Sequence, residues 1–541
     1  MLIYLPLFLV MFMTSACRTL GFCGARSSGR NFAKHGKFIP LAMSTVTTAN
    51  PLLEQESLPK FASIEPSNLS PAVDSLIKKM DSDFAEFESK ISDGDYEAKY
   101  DDILPELERI QFPVGYAWGV AGHLNGVKNG EELRKAYEEN QAKVVTSVTK
   151  FSQSRPVYDA LSKIEKDWET ECPSDEFEAA QKKRALENNL RAMTLGGVGL
   201  DGADKKRFNE IKLRLAEIAT SFGNNVLDAT KAFSHTVEDA ADVAGVPSTA
   251  KAMWANNHMA AMKEKGEEIE VDPEVGPWRI TLDAPSYIAA MSHVPSREVR
   301  ETVYRAFLTK ASEYTAGDDE KKNNVPSIYE ILKLKYERAK MLGFETPADQ
   351  SLATKMAPSV ESVRELSNLI KEKALPSAMR ELDEITALAR SEGGDIYSEE
   401  NLDKLKPWDT TFWSERLKEK KFDLTEEELR PYFALPSVLG GMFGLVERIF
   451  NIEVKSADGE AEVWNPDATF YNVYDKESGK HIASFYLDPY SRPADKRGGA
   501  WMDVCIGKSD ACKRDIPVAY LTCNGSPPVE GKPSLMSFRE V

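Results

Sequence analysis

Ser70-Pro71-Ala72-Val73-Asp74-Ser75-Leu76-Ile77-Lys78-Lys79-Met80-Asp81-Ser82-Asp83-Phe84-Ala85-Glu86-Phe87-Glu88-Ser89-Lys90-Ile91 places its apolar residues at Val73, Leu76, Ile77, Met80, Phe84, Phe87 and Ile91. The spacing is three or four residues, close to the 3.6 of an α-helix, so these side chains form one stripe that must face a core. Ser70-Pro71 reads as the start of that helix, because proline is tolerated in a first turn whose amides have no partner. A second run, Phe208, Ile211, Leu215, Ile218, Phe222 and Val226, has the same period and no proline. A third, Val363, Leu366 and Leu369, continues beyond Pro376 as Met379, Leu382, Ile385 and Leu388. Pro376 is expected to kink or split it. No fixed-period repeat and no low-complexity linker interrupts these patterns, so the helices belong to irregular packed domains.

Near the C-terminal side the period changes to two. Phe470, Tyr471, Val473 and Tyr474, the turn Lys476-Glu477-Ser478-Gly479, and Ile482, Phe485, Tyr486 and Leu487 read as two strands joined by a glycine-bearing turn. Two further strands are expected at Ala500 to Ile506 and Val518 to Cys523. Beyond them, Ser537 and Glu540 within Pro533-Ser534-Leu535-Met536-Ser537-Phe538-Arg539-Glu540-Val541 have the spacing of a capping box. A capping box opens a helix and stabilises little unless turns follow, so the sequence is expected to stop just before an important helix. A small sheet followed by a capped helix is a common way to build a cleft, in which an edge strand offers free backbone groups to an extended peptide. A purely structural sheet would show the same spacing.

The chain has 541 residues, 42% hydrophobic and 28% charged, enough for a large core and two or three domains. Its formal net charge of −18 disfavours nucleic acid as the main partner, since phosphate binding needs a basic surface. Six cysteines in this length are too few for a disulfide framework, and Cys172, Cys505, Cys512 and Cys523 are expected as reduced thiols. Asn68-Leu69-Ser70 and Asn524-Gly525-Ser526 fit a glycosylation sequon.

The first fifty residues differ from the rest. Leu2 to Met13 is nearly all apolar, too short to span a bilayer, and followed by the small residues Thr14-Ser15-Ala16. From Cys17 to Leu53 the charges are Arg18, Arg26, Arg30, Lys34 and Lys37, with no acidic residue before Glu54. A signal-like segment followed by a basic, acid-free one reads as a two-part address to a plastid entered through the secretory route. The alternatives are an ordinary secretory signal or a mitochondrial address.

Familiar catalytic motifs are absent from the sequence. Gly197-Val198-Gly199-Leu200-Asp201-Gly202 matches G-x-G-x-x-G but follows the helical pattern of Asn188 to Leu195, whereas a dinucleotide-binding loop follows a strand. It is therefore expected as a loop between helices. His35, His123, His235, His258, His293 and His481 are too far apart for H-E-x-x-H, and Cys505, Cys512 and Cys523 lack the paired spacing of a zinc site. Neither a nucleophile elbow nor a phosphate-binding loop occurs. No catalytic residue and no metal ligand can be named from residue chemistry.

Longer stretches carry a resemblance. Gly122-His123-Leu124-Asn125-Gly126-Val127-Lys128-Asn129, Phe222-Gly223-Asn224-Asn225-Val226-Leu227-Asp228-Ala229-Thr230, Ser351 to Ala357 and Ser484-Phe485-Tyr486-Leu487-Asp488 are similar to the oligopeptidase A branch of the thimet oligopeptidase family. Lys496-Arg497-Gly498-Gly499-Ala500-Trp501-Met502-Asp503 and Pro517-Val518-Ala519-Tyr520-Leu521-Thr522-Cys523-Asn524 are its most specific stretches, and the resemblance runs from Asn50 to Val541. It implies a zinc peptidase that cleaves short peptides in a channel between helical lobes. It also implies that the segment similar to Leu535–Val541 leads into an H-E-x-x-H helix, two histidines of which hold Zn2+ while the glutamate acts as base. That motif is not among the 541 residues, so no ligand or base can be carried over. What the resemblance does transfer is a substrate-proximal edge strand, Ala519, Tyr520, Leu521, Thr522, Cys523 and Asn524.

The expected architecture is mainly α, two helical lobes flanking a channel with a small antiparallel sheet near the C-terminal end. Residues 1–49 are expected to be a targeting segment and 50–275 a helical lobe. Residues 276–541 are expected to be an incomplete catalytic domain lacking the zinc helix, with the boundary at Gly276 to Arg279. Two functions follow: a zinc oligopeptidase acting on short peptides, inactive and binding no stoichiometric Zn2+ as these 541 residues stand, or a non-catalytic peptide-binding or scaffold protein. The scaffold reading meets a physical objection, since lacking the zinc helix and its successors would expose apolar core. No stable membrane span is expected, and oligomeric state is not encoded.

Overall fold

Helix α1 (Pro66–Ile91) begins one turn earlier than the Ser70-Pro71 pair suggests. Pro66 occupies the first turn, and Asn68 Oδ1 accepts the Glu65 amide at 2.8 Å, so the start is fixed before Pro71 is reached. Val73, Met80, Phe84 and Phe87 are buried as the stripe requires. The structure, a computed structural model, describes residues 50–541 apart from 94–95, 169–172, 316–321, 399, 401–403 and 529–532. The targeting segment 1–49 and Cys172 lie outside the described residues.

Helices α2 (Tyr100–Val127), α3 (Glu131–Ser152), α4 (Arg155–Lys166), α5 (Glu176–Leu195) and α6 (Gly202–Ala232) follow α1. The G-x-G-x-x-G residues fall in the turn between α5 and α6, as expected, with Gly197 at φ +86°. Next come β1 (His235–Val237), α7 (Ser248–Glu264) and β2 (Trp278–Ile280), and β1 pairs antiparallel with β2. Val237, Trp254, Trp278 and Ile280 share one small core with Val294 and Val303, so the lobe boundary expected at Gly276 to Arg279 would cut through packed side chains. Helices α8 (Ala284–His293), α9 (Arg297–Leu308), α10 (Val325–Met341), α11 (Pro347–Leu352), α12 (Val360–Glu392), α13 (Pro407–Phe422), α14 (Glu426–Leu429) and α15 (Leu435–Phe450) complete the helical part. α12 is not split at Pro376: it runs for 33 residues. The carbonyl that proline leaves without a donor belongs to Glu372, an exposed residue, where solvent can satisfy it.

Strands β3 (Ile452–Ser456), β4 (Thr469–Asp475), β5 (His481–Tyr490), β6 (Trp501–Ile506) and β7 (Val518–Gly525) form a sheet in the order β3-β4-β5-β7-β6. The four strands expected from the sequence are all present, and the β4–β5 turn uses Gly479 at φ +66°. The sheet is mixed rather than antiparallel throughout, because β5 and β7 run parallel. The chain leaving β5 crosses to the far edge, lays down β6, and turns back so that β7 fills the gap between them. One face of this sheet shares a continuous core with the N-terminal helices: Phe61, Tyr116 and Leu124 pack with Trp464, Phe470, Tyr486 and Tyr520.

Candidate functional site

Each of the six residues expected on an edge strand lies on β7, and β7 is interior. Ala519, Tyr520, Leu521 and Thr522 pair with β5 through Phe485, Tyr486, Leu487 and Asp488. The same four residues pair with β6 through Val504, Asp503, Met502 and Trp501. Their backbone is therefore already in use on both sides, and no peptide can add there. Tyr520 and Thr522 point into the core, both 1% exposed, while Cys523 and Asn524 are partly buried. The expectation failed on strand order: β6 precedes β7 in the chain, yet it occupies the outer position.

The sheet ends at β3 on one side and β6 on the other, and on β6 the Val504 amide donates to Asp503 Oδ1 at 2.7 Å. Trp501 and Cys505 pack against the helical core, with Trp501 within 3.7 Å of the Cβ position of Gly126 in α2. The alternate side chains Met502 and Val504 are 68% and 46% exposed on the opposite face. A strand at the end of a sheet with apolar side chains in the open is a place where an extended peptide can add as a further strand.

What holds this edge is the loop from β5 to β6. Asp488, wholly buried at the end of β5, accepts Arg492 Nη1 and Nη2 at 2.7 and 2.8 Å, Lys496 Nζ at 2.8 Å and Trp464 Nε1 at 2.8 Å. Burial alone would raise its pKa, but the Arg492 and Lys496 contacts outweigh burial and hold the carboxyl below the ordinary carboxylate range. Lys496, 1% exposed, also donates to the carbonyls of Asp488 and Tyr490 at 3.1 and 2.7 Å. The loop is tied to the end of α2 through Arg492 Nη2 to Val127 O at 3.1 Å, Arg497 N to Gly126 O at 2.9 Å and Asn129 N to Asp495 O at 2.7 Å. From β7, Asn524 Nδ2 donates to Arg497 O at 3.0 Å and to Gly499 O, closing the turn where Gly499 adopts φ +94°. That amide of the Asn524 sequon is thus engaged inside the fold.

Behind the sheet, His123 stacks on Tyr520 with ring centroids 3.7 Å apart and an interplanar angle of 6°. Burial lowers its pKa to about 3, so it is neutral, and its Nε2 has no hydrogen-bond partner. Between α3 and α6 lies a cleft of about 670 Å³, but its central cation, Arg134, is committed to Asp228 through two bonds of 2.9 and 2.7 Å. Cys505, Cys512 and Cys523 are free thiols, as expected, and burial pushes Cys505 up to about 12. The capping box is formed: Ser537 N donates to Glu540 Oε2 at 2.7 Å and Glu540 N to Ser537 Oγ at 3.3 Å. Glu540 Oε1 also accepts the Ser526 amide at 3.1 Å, joining this turn to the end of β7.

Among the described residues, no cluster of three or more histidine, cysteine, aspartate or glutamate side chains is arranged to hold a metal ion. No chemical step is therefore assigned to a metal centre among the described residues. Also among the described residues, no helix is long and apolar enough to cross a membrane.

The cluster Asp488–Arg492–Lys496 was missed in the sequence, although its signal is visible as an acid followed by two cations at four-residue intervals. The edge role of β6 carried no local signal at all.

Comparison with known proteins adds an independent line. Residues 290–541 match Peptidase family M3, and 73–205 match the Neurolysin/Thimet oligopeptidase N-terminal domain. The chain is 40% identical over 499 residues to organellar oligopeptidase A, chloroplastic/mitochondrial, of Arabidopsis thaliana, covering 91% of this chain and 60% of that protein. It is 38% identical over 506 residues to the probable cytosolic oligopeptidase A of the same plant, covering 93% of this chain and 68% of the relative. Oligopeptidase A of Escherichia coli is 36% identical over 496 residues, 91% of this chain and 68% of the bacterial protein. The chain thus spans 60 to 68% of the length of these relatives. On this likeness, which extends over nine tenths of the chain and includes the strands and the clamped loop, the chain belongs to peptidase family M3, alongside the oligopeptidases A.

Proposed function

We propose that this protein serves the hydrolysis of short peptides as an oligopeptidase, and that β6 is where an extended peptide adds to the sheet. The observation that supports this is the outer position of β6 in the sheet, with Met502 and Val504 exposed, in a chain of an oligopeptidase family. Zinc dependence enters only by the family resemblance. These 541 residues contain no H-E-x-x-H, so the polypeptide by itself is expected to bind no stoichiometric Zn2+ and to cleave nothing. The second reading, a non-catalytic peptide-binding protein, uses the same outer strand.

One experiment tests the peptide edge and the lack of a metal centre together. The purified polypeptide is titrated with fluorescent peptides of about 5 to 15 residues, the length that two to four strand pairings need, and its metal content and cleavage products are measured in parallel. Peptide binding without zinc or cleavage fits both the edge assignment and the binding-protein reading. Retained zinc with chelator-sensitive cleavage would refute the claim that these residues lack a centre. No binding of any peptide would remove the edge assignment. The organellar match supports plastid or mitochondrial residence for residues 1–49 to direct, although a cytosolic relative is similar too. A fluorescent fusion of residues 1–60 would decide this.

A further inference from the structure

Arg497 carries a partly buried charge that no carboxylate answers. Its backbone is fixed on both sides: the amide donates to Gly126 O at 2.9 Å, and the carbonyl accepts Asn524 Nδ2 at 3.0 Å. Its side chain lies against α6, with Cζ and Nη2 both 3.5 Å from the place a Cβ would take on Gly223. Nε is buried and has no hydrogen-bond partner. Burial lowers the pKa of this guanidinium, and the ionisable groups that act on it are the Tyr137 hydroxyl and Arg134, a second cation. The neighbouring guanidiniums are paired: Arg134 with Asp228 at 2.7 Å and Arg492 with Asp488 at 2.7 Å. Among the described residues Arg497 has no such partner. A cation drawn out of water without a counter-ion is costly, and groups left in that condition at the mouth of a binding surface are candidates for holding a ligand of opposite charge.

The position of this charge relative to the sheet says which ligand. Arg497 stands four residues before Trp501, the first residue of β6, and Gly498, Gly499 and Ala500 between them are exposed. The unanswered charge therefore lies at the beginning of β6, with an open stretch of backbone leading to it. A peptide added antiparallel to β6 leaves its C-terminal carboxylate at that end, whereas a parallel one leaves its N-terminal ammonium there. A guanidinium attracts the carboxylate with two parallel N–H···O bonds and repels the ammonium.

We infer that Arg497 binds the C-terminal carboxylate of an extended peptide and so sets that peptide antiparallel to β6. The inference deepens the oligopeptidase reading and rests on it for the strand to which the peptide adds. A single carboxylate at the end of an otherwise neutral backbone matches one guanidinium, while a multiply charged anion is the poorer occupant in a chain of net charge −18. Recognition of the terminus also explains how a surface could take peptides of unrelated sequence: the register on β6 is counted back from the carboxylate and needs no particular side chain.

The test uses a peptide of about eight residues, free of charged side chains and blocked at its amino end by a fluorescent acyl group, prepared as the free acid and as the C-terminal amide. Both forms are titrated into the 541-residue chain and into its Arg497→Gln and Arg497→Lys variants. The unaltered chain is expected to bind the acid at least about tenfold more tightly than the amide. Arg497→Gln is expected to abolish that preference while its affinity for the amide stays within about twofold, and Arg497→Lys to keep part of the preference because it keeps the charge without the fork. Equal affinity of the unaltered chain for acid and amide overturns the inference and leaves the β6 edge standing. A preference that survives Arg497→Gln overturns it too. So does a loss of amide affinity in Arg497→Gln as large as the loss of acid affinity, which would make the residue a support of the fold alone. A C-terminal amide ending in Glu that binds as tightly as the free acid assigns the guanidinium to an acidic side chain and overturns the claim on the terminus. Binding of neither form removes the β6 reading and the inference with it.

Discussion

Replacing Asp488 by asparagine tests the claim that a buried charge cluster holds the β6 edge. The carboxylate is fully buried and receives four hydrogen bonds, two from Arg492 and one each from Lys496 and Trp464. The asparagine would keep the shape but remove the negative charge, and its amide group would face cationic donors. Lys496, 1% exposed, would then be a buried cation without its counter-ion. Removing one partner of a buried pair costs about 3–5 kcal/mol, mostly because the other charge stays behind. At about 1.4 kcal/mol per factor of ten, amides of β5 and β7 should exchange between about a hundredfold and a few thousandfold faster in Asp488→Asn. Adding Lys496→Met should restore roughly half of the loss, since the stranded ammonium is gone while Arg492 still lacks its bidentate acceptor. Hydrogen exchange with mass analysis measures all three proteins. A single variant that changes exchange less than about tenfold, or a double variant worse than the single, would refute the reasoning. The pH dependence has a definite sign. Because the folded pKa lies below the ordinary value, the stabilisation is complete above about 4 and disappears as the pH falls through the lower, folded value.

Other consequences are open to direct measurement. His123 has its folded pKa lowered to about 3, so its contribution is present above the unfolded value of about 6.5 and is lost as the pH falls toward 3, by about 1.4 kcal/mol per unit. His123→Phe should keep the stack on Tyr520 and flatten the pH dependence of the urea midpoint in that window; an unchanged slope would contradict it. Met502→Lys, at a side chain 68% exposed, should alter stability by no more than about 0.5 kcal/mol while weakening peptide binding about tenfold, if β6 is the docking edge. Equal peptide affinity in that variant would argue against the edge. Ser537→Ala breaks one side of the capping box and should cost about 1 kcal/mol locally, read as faster proteolysis within 533–541. Unchanged cleavage rates there would show that Glu540 and Ser526 hold the segment without it.

Much of the fold could be read from short-range pattern. The 3.6-residue stripe of 73–91 is buried where it was placed, and the strands near 470–487, 501–506 and 518–525 were found from alternation and from the Gly479 turn. The misreadings share a cause. Pro71 and Pro376 carry local signals for a helix start and a helix break, but α1 was begun earlier by the Asn68 contact with Glu65, and α12 continues past Pro376. In the first place a neighbouring side chain set the helix start, and in the second the orphaned carbonyl belongs to an exposed residue.

Strand order is a different kind of information. β5, β6 and β7 each read as a strand on their own residues, but nothing within any of them states that the third inserts between the first two. That choice is made at a distance by the clamp around Asp488. The loop cannot turn directly into a neighbouring strand while Arg492 reaches Val127, Arg497 reaches Gly126 and Asp495 receives Asn129, because these contacts carry the chain across to α2 before β6 begins. Trp501 then settles beside Gly126, and β6 takes the outer position. β7 has one vacancy left, between β5 and β6, and Asn524 seals it by binding the Arg497 and Gly499 carbonyls. The interior position of Ala519–Asn524 and the outer position of β6 are thus two results of one set of contacts, which in the case of Arg492 and Val127 join residues 365 positions apart in the chain. Loosening that clamp should release both, which is why the Asp488 variant is expected to show its faster exchange in β7 as well as in β5.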